Sequence, residues 1–523
     1  MKKNILGSFG EHILHKKYLL LVFYVMFYAC IGFVLSKKMG AFGCFDDCPN
    51  IMAGWFVLKG KVLYEQVFYN HQPLIVYISQ LVQYLGKPES IYHLILYHRL
   101  SLFLFSFAFG ILLILRFRVP AFLFLIFYES TKYYFFGDRF LAEAFIVYPA
   151  IYLAGIVWGS LSQQVKHISR VDVIFGTFCA WFIFYMREPY APLALLLFLF
   201  VLIKAESWRI RLFAIGFFLL ATFGFLFLFP VSDYFFNVVT VNQQFHLQRP
   251  FTIDDVLRSF FYPVVIFLDG KFTTLWLFES FLSAIYIVLI ILSLTFRVGY
   301  RYLLLLFFSL GFANFRLEQP GLMYYEAFHM LSWYALFLFS LFLLLFMLRN
   351  KIKTLFLIFN VVLFCGLAVF LLSTGSYVRE KTDPSSLFFE GYNQYYTTGE
   401  VVRRLSSPSD TLFLDGWNDL IYWQAQRTSP YMYSWYTSIM PGFMRYKTAR
   451  EDLLAHNPPD FFYGACKEWP FSRVSQAFLS QYVNISFQGK PTCLYMNSLS
   501  AMEVSKAAKE RILELGYRLE PGV

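Results

Sequence analysis

The chain has 523 residues and a formal charge of +11, with 58% apolar and only 15% charged residues, and it holds 66 Phe and 37 Tyr. Soluble globular chains average roughly 45–50% apolar and about 25% charged residues, so a wholly water-soluble fold is excluded. The basic excess sits in short clusters between apolar runs, with no basic arm or basic helix of the nucleic-acid-binding kind, and reads as membrane topology.

In chain order, Lys2, Lys3, Lys16 and Lys17 precede the apolar run 18–36. That run exceeds the ~7–15 residues of a signal-peptide core, and no small-residue cleavage site follows, so it reads as a retained span. Further runs at 97–115, 119–131, 140–158, 172–186, 190–204, 210–230, 274–296, 302–314, 328–348 and 354–373 bring the expectation to about eleven transmembrane helices. The loops with Arg116/Arg118, Lys166/Arg170, Lys204/Arg209/Arg211, Arg297/Arg301 and Arg349/Lys351/Lys353 hold few acids and alternate with acid-bearing ones. Positive-inside places the N-terminus in the cytoplasm, the acid-bearing loops outside and, for an odd span count, the C-terminus outside. Two outer segments, about 50–90 and 252–270, read as helices lying on the membrane surface.

After Ser373 the composition turns polar. Strand-like runs at 411–414, 460–463 and 492–496 alternate with helix-like ones at 395–405, 444–455 and 501–515, which predicts a small α/β domain. The expected fold is therefore an α-helical polytopic membrane domain over residues 1–373, with an outer loop at 37–96, followed by a small extracytoplasmic α/β domain over 374–523. Four cysteines fall in outer segments, and the expected bridges are Cys466–Cys493 and Cys44–Cys48.

The first outer loop carries the densest chemistry: Cys44-Phe-Asp46-Asp47-Cys48-Pro49, then Gly60-Lys-Val-Leu-Tyr64, then Asn70-His71-Gln72-Pro73-Leu74. Adjacent carboxylates beside a membrane repel each other in a medium of falling dielectric, which raises one pKa and suits a general base. The plainer reading is a solvated turn, since Asp-Asp before Pro is common turn chemistry. Glu143 lies about one turn inside a span, where ionisable groups usually face a cavity. Arg139 and Arg187 sit at span ends, as phosphate ligands or as anchors paired with Asp138 and Glu188. His329 and Tyr325 read as packing residues. There is no phosphate-binding glycine loop, no Rossmann fingerprint and no zinc spacing.

An acidic pair, about fourteen residues, Gly-x-x-x-Tyr and then His-x-Pro-Leu resembles the first periplasmic loop of the GT-C glycosyltransferases, in particular the bacterial protein-mannosyltransferase and aminoarabinose-transferase-like branch (glycosyltransferase family 39-like). The resemblance gives Asp46 the place of the catalytic acid and sets Asp47 where the family has Glu. His71-Gln72-Pro73-Leu74 is similar to the family's His-Pro-Pro-Leu element. Gly137-Asp138-Arg139 through Glu143, Arg187-Glu188-Pro189-Tyr190, and Arg316 with Gly321 through His329 are similar, more loosely, to later family elements. The resemblance implies a bacterial inner-membrane enzyme that moves a sugar from a polyprenyl-phosphate donor to a lipid, polysaccharide or protein acceptor, with inversion. Asp46 and Asp47 would be catalytic, and Arg139, Glu143, Arg187, His71 and Arg316 would bind substrate. No cofactor is implied, and a divalent metal is left open. Two rivals remain, a lipid-linked oligosaccharide polymerase or ligase and a lipid or sugar flippase.

Overall fold

The computed structural model describes residues 17–36, 39, 46–162, 168–244, 253–268, 273–298, 300–313, 327–374, 392–415, 419–434, 442–464 and 476–520. Helices of eight residues or more are numbered here. The first part of the chain forms α1 (Lys17–Ser36), α2 (Asp47–Leu58), α3 (Leu74–Gly86), α4 (Ile91–Phe117), α5 (Val119–Thr131), α6 (Ala142–Ser162), α7 (Arg170–Met186), α8 (Ala191–Lys204), α9 (Trp208–Leu226), α10 (Ile253–Phe260), α11 (Thr274–Thr295), α12 (Tyr300–Ala313), α13 (Leu331–Leu348) and α14 (Lys353–Ser373).

Seven of these helices are long and apolar enough to cross a bilayer: α1, α4, α6, α9, α11, α13 and α14. The chain is thus a polytopic helical protein. Four other runs expected as spans fold into the shorter helices α5, α7, α8 and α12, of 13, 17, 14 and 14 residues. Local chemistry sets several of their ends. Arg118, at φ +55°, reverses the chain between α4 and α5, and the Glu188-Pro189-Tyr190 turn separates α7 from α8. Helices α6 and α13 are almost wholly enclosed, whereas α1, α9 and α14 show apolar side chains over most of their surface. A helix apolar all round requires either neighbours or lipid, and this bundle uses both solutions.

Inside the bundle, Lys132 Nζ lies 2.6 Å from Glu129 Oε2, and Tyr148 Oη donates to Glu129 Oε1 at 2.6 Å while accepting from Lys132 Nζ at 3.1 Å. All three side chains are buried. The two surface segments expected from the sequence are helical. Helix α3 exposes Leu81, Tyr84 and Leu85 while its other face packs on α2 so closely that a Cβ at Gly54 would fall 2.4 Å from Ser79 Oγ. Residues 253–268 expose Ile253, Leu257, Phe261, Val264 and Leu268 and pack Phe260 against Phe307 of α12.

The C-terminal part forms α15 (Asn393–Leu405), α16 (Met444–His456), α17 (Lys506–Leu513) and five strands: β1 (Leu412–Leu414), β2 (Phe461–Tyr463), β3 (Tyr482–Phe487), β4 (Lys490–Asn497) and β5 (Tyr517–Leu519). They make one mixed sheet in the order β1-β2-β4-β3-β5, parallel only between β1 and β2. Strands β3 and β5 escape the hydropathy pattern. The β3–β4 hairpin turns at Gln488-Gly489, both with positive φ (+50° and +77°) as a type I′ turn requires. Cys48 and Cys493 are disulfide-bonded, while Cys30, Cys179 and Cys365 are free. The expected partners Cys44 and Cys466 lie outside the described residues.

This domain sits on the loop that joins α2 to α3. Val67 bridges Ser434, with Phe68 N donating to Ser434 O at 3.3 Å and Ser434 N to Gln66 O at 2.9 Å. Arg445 Nη2 pairs with Asp233 Oδ1 at 2.6 Å, and Tyr446 Oη donates to Asn237 Oδ1 at 2.8 Å. The first loop and the C-terminal part therefore share one end of the bundle.

Candidate functional site

The two adjacent aspartates part company at the start of α2. Asp46 occupies the N-cap position and is exposed, whereas Asp47 opens the first turn and is fully buried. A carboxylate in a first turn is favoured by the helix dipole, and Asp47 gains a second partner in Arg99 of α4, whose Nη2 lies 3.5 Å from Asp47 Oδ2. Arg99 Nη1 also donates to Met39 O at 3.1 Å. This arrangement fixes the start of α2 against α4 and leaves Asp46 as the accessible acid.

Asn50, one turn further along α2, organises the surroundings. Its Nδ2 donates to Phe140 O at 3.2 Å and to Asp46 O at 3.3 Å, and its Oδ1 accepts from Tyr69 Oη at 2.6 Å. One amide thus ties together the Asp46 backbone, the loop after α2 and the segment before α6. The loop itself reverses at Gly60, where φ is +90°, and Tyr64 Oη donates to His71 O at 2.8 Å, setting the His71 backbone.

Arg187, at the end of α7, lies within electrostatic reach of Asp46. Its Nε is 3.2 Å from Glu143 Oε1 in the first turn of α6, and both side chains are buried. Burial works against the guanidinium charge, but Glu143, Glu188, Tyr69 and Asp46, in that order, outweigh it and hold the Arg187 pKa above the usual arginine value. Burial likewise pushes the Tyr69 phenol above its ordinary pKa, so Tyr69 stays a donor. Glu188 Oε1 lies 3.1 Å from His71 Nδ1. His329, just before α13, brings Nε2 to 4.0 Å from Glu143 Oε1, and its carbonyl accepts from Tyr190 Oη at 3.2 Å.

Asp46, His71, Glu143 and Arg187, chosen from the sequence, thus come together at one end of the bundle from four chain segments. Asp47 is turned away into its pair with Arg99. Arg139 stacks on Phe136 at 4.9 Å, half-buried, beside the Phe140 carbonyl that Asn50 grips. Arg316 and Tyr325 lie outside the described residues. Arg187 and Glu188 do not pair with each other; each takes a partner from another segment. Asn50, Tyr69 and Arg99 were not singled out in the sequence, although Asn50 stands one turn from Asp46 and Arg99 is a charge within a span. His329, read as packing, reaches Glu143 through the fold alone. Among the described residues no three His, Cys, Asp or Glu side chains are placed to hold a metal ion.

The ensemble sets an exposed carboxylate within electrostatic reach of a buried guanidinium, with two histidine–carboxylate contacts in the same cluster. Such a set can accept a proton and stabilise a developing anion within one site. Comparison with protein-family models, with characterised proteins and with solved structures finds no match.

Proposed function

We propose that the chain is a GT-C-type membrane glycosyltransferase, transferring a sugar from a polyprenyl-phosphate donor to an acceptor hydroxyl at the outer face of a bacterial inner membrane. In this reading the four shorter helices complete eleven crossings, the N-terminus is cytoplasmic and the C-terminal domain is periplasmic. The observation that carries the proposal is the convergence of Asp46, Arg187, Glu143 and His71 on one bundle end, with Asp46 alone of the acidic pair left accessible.

The Asp46 carboxylate would take the proton of the acceptor hydroxyl as its oxygen attacks the anomeric carbon. The bond from that carbon to the phosphate oxygen breaks, the configuration inverts, and polyprenyl phosphate leaves. Arg187, held by Glu143, would offset the charge that grows on the leaving phosphate. Asp47 acts through Arg99 on the position of its neighbour.

The test is sugar release from a polyprenyl-phosphate sugar by purified protein in detergent, alongside donor binding. Asp46→Asn, close in shape but unable to take the proton, should lose at least ~100-fold in turnover while donor binding and melting temperature hold. Asp47→Asn should act mainly on melting temperature. Near-normal turnover in Asp46→Asn would overturn its role as base. Lipid movement across vesicles without sugar release by wild type would favour the flippase.

A further inference from the structure

Glu279 belongs to none of the clusters described above. It lies in the second turn of α11, 2% exposed, and among the described residues neither carboxylate oxygen has a hydrogen-bond partner. The hydroxyls of Ser280 and Ser283 are buried and unpaired as well, and so is the indole Nε1 of Trp333 on α13. Helical spacing puts Glu279 and Ser283 on one stripe with Ser280 at its edge. The stripe continues to Tyr286, whose ring packs on Phe337 of α13 at 4.9 Å and whose hydroxyl accepts from Ser340 at 3.2 Å. Phe337 in turn stacks on Trp333 at 4.9 Å. Two turns back from Tyr286, Glu279 therefore stands level with Trp333 and Tyr334. Trp276, one turn before Ser280, donates to Ile266 O at 2.8 Å, which turns the Ser280 edge toward residues 262–268.

A bare carboxylate in such surroundings costs several kcal/mol, and orphaned buried polar atoms in a native protein call for a ligand or water to satisfy them. We infer that Glu279, Ser280 and Ser283 form a binding site for a monovalent cation, of the sodium type, between α11 and α13. One carboxylate balances one positive charge, whereas a divalent ion would leave net charge in a low-dielectric interior. Carboxylate and hydroxyl oxygens are hard ligands suited to such an ion. The site shares no residue with the Asp46–Arg187 cluster.

The test uses the full chain purified in detergent, with melting followed in sodium chloride against choline chloride at equal ionic strength. Wild type should show a saturable, sodium-specific rise of roughly 2–4 °C. Glu279→Gln should melt as wild type does in choline and ignore sodium, and Ser283→Ala should need more sodium for half the effect. A wild type blind to sodium would mean that Glu279 is held as the neutral acid and would overturn the proposal. An equal rise in Glu279→Gln would do the same. Should Glu279→Gln fail to fold, an unchanged sodium midpoint in Ser283→Ala refutes the site.

Discussion

Helix α6 carries two polar clusters about one and a half turns apart, and they are built on opposite plans. Around Tyr148, the Glu129 and Lys132 charges cancel and the contacts of a ring of three side chains are short, 2.6–3.1 Å. Around Glu143, Asp46 and Glu188 add further acid to a single buried arginine, and the contacts are longer, 3.2 Å to Arg187 and 4.0 Å to His329. A closed network rigidifies its surroundings, whereas an open one keeps capacity for a ligand. Lys132 also accepts the Gly137 amide at 2.8 Å, so the closed ring braces the segment that delivers Arg139 and Glu143 to the open one.

Breaking the closed ring should have the largest effect. Glu129→Gln leaves Lys132 as an uncompensated buried charge, a loss of roughly 3–5 kcal/mol. The yield and melting temperature of purified protein should fall steeply, and Glu129→Gln with Lys132→Met should recover much of the loss. A single variant that melts like wild type would erase the distinction between the clusters. The open cluster should behave the other way. Arg187→Lys keeps a charge over Glu143 but loses the planar fork that grips phosphate. Turnover should drop about tenfold or more, the worth of one charge-assisted hydrogen bond, with melting little changed. A collapse in melting without a specific loss of turnover would make Arg187 a structural residue.

Much of the helical architecture was legible because apolar runs dominate it, and the open site was partly legible because its residues sit in short motifs. Asp46, His71, Glu143 and Arg187 were found that way, each at the edge of an apolar run. What escaped was set by distance along the chain. His329 meets Glu143, and Arg99 meets Asp47, through packing that no local pattern encodes. The bounds of α5, α7, α8 and α12 follow the apolar runs closely, because Arg118 and Pro189 interrupt the hydropathy where the chain turns. Strand β3 was missed because the Gln488-Gly489 turn, rather than strict alternation, defines its hairpin with β4, and β5 because three residues are too few to show a period.

The smallest effect concerns the joint between loop and domain. Burial lowers the Lys61 pKa from its ordinary 10.5 to about 8, and its Nζ donates to Ser429 O at 2.9 Å. With the docked value below the free one, the undocked chain binds the extra proton between about pH 8 and 10.5. Docking should therefore strengthen as pH rises through that window. Wild type should gain on Lys61→Met by a degree or two in melting temperature from pH 7.5 to pH 10. A constant gap would mean that Lys61 is solvated at the joint.

That same contact imposes a schedule on synthesis. Lys61 waits for a carbonyl 368 residues further along the chain. At ~5–20 residues per second, roughly 20–70 s pass before the partner is made. Throughout that interval the loop bearing Asp46 and His71 lacks its cover, and the backbone at Gln66 and Phe68 lacks the Ser434 partner it later takes. The end of the bundle that holds Asp46 and His71 is thus begun early and finished late.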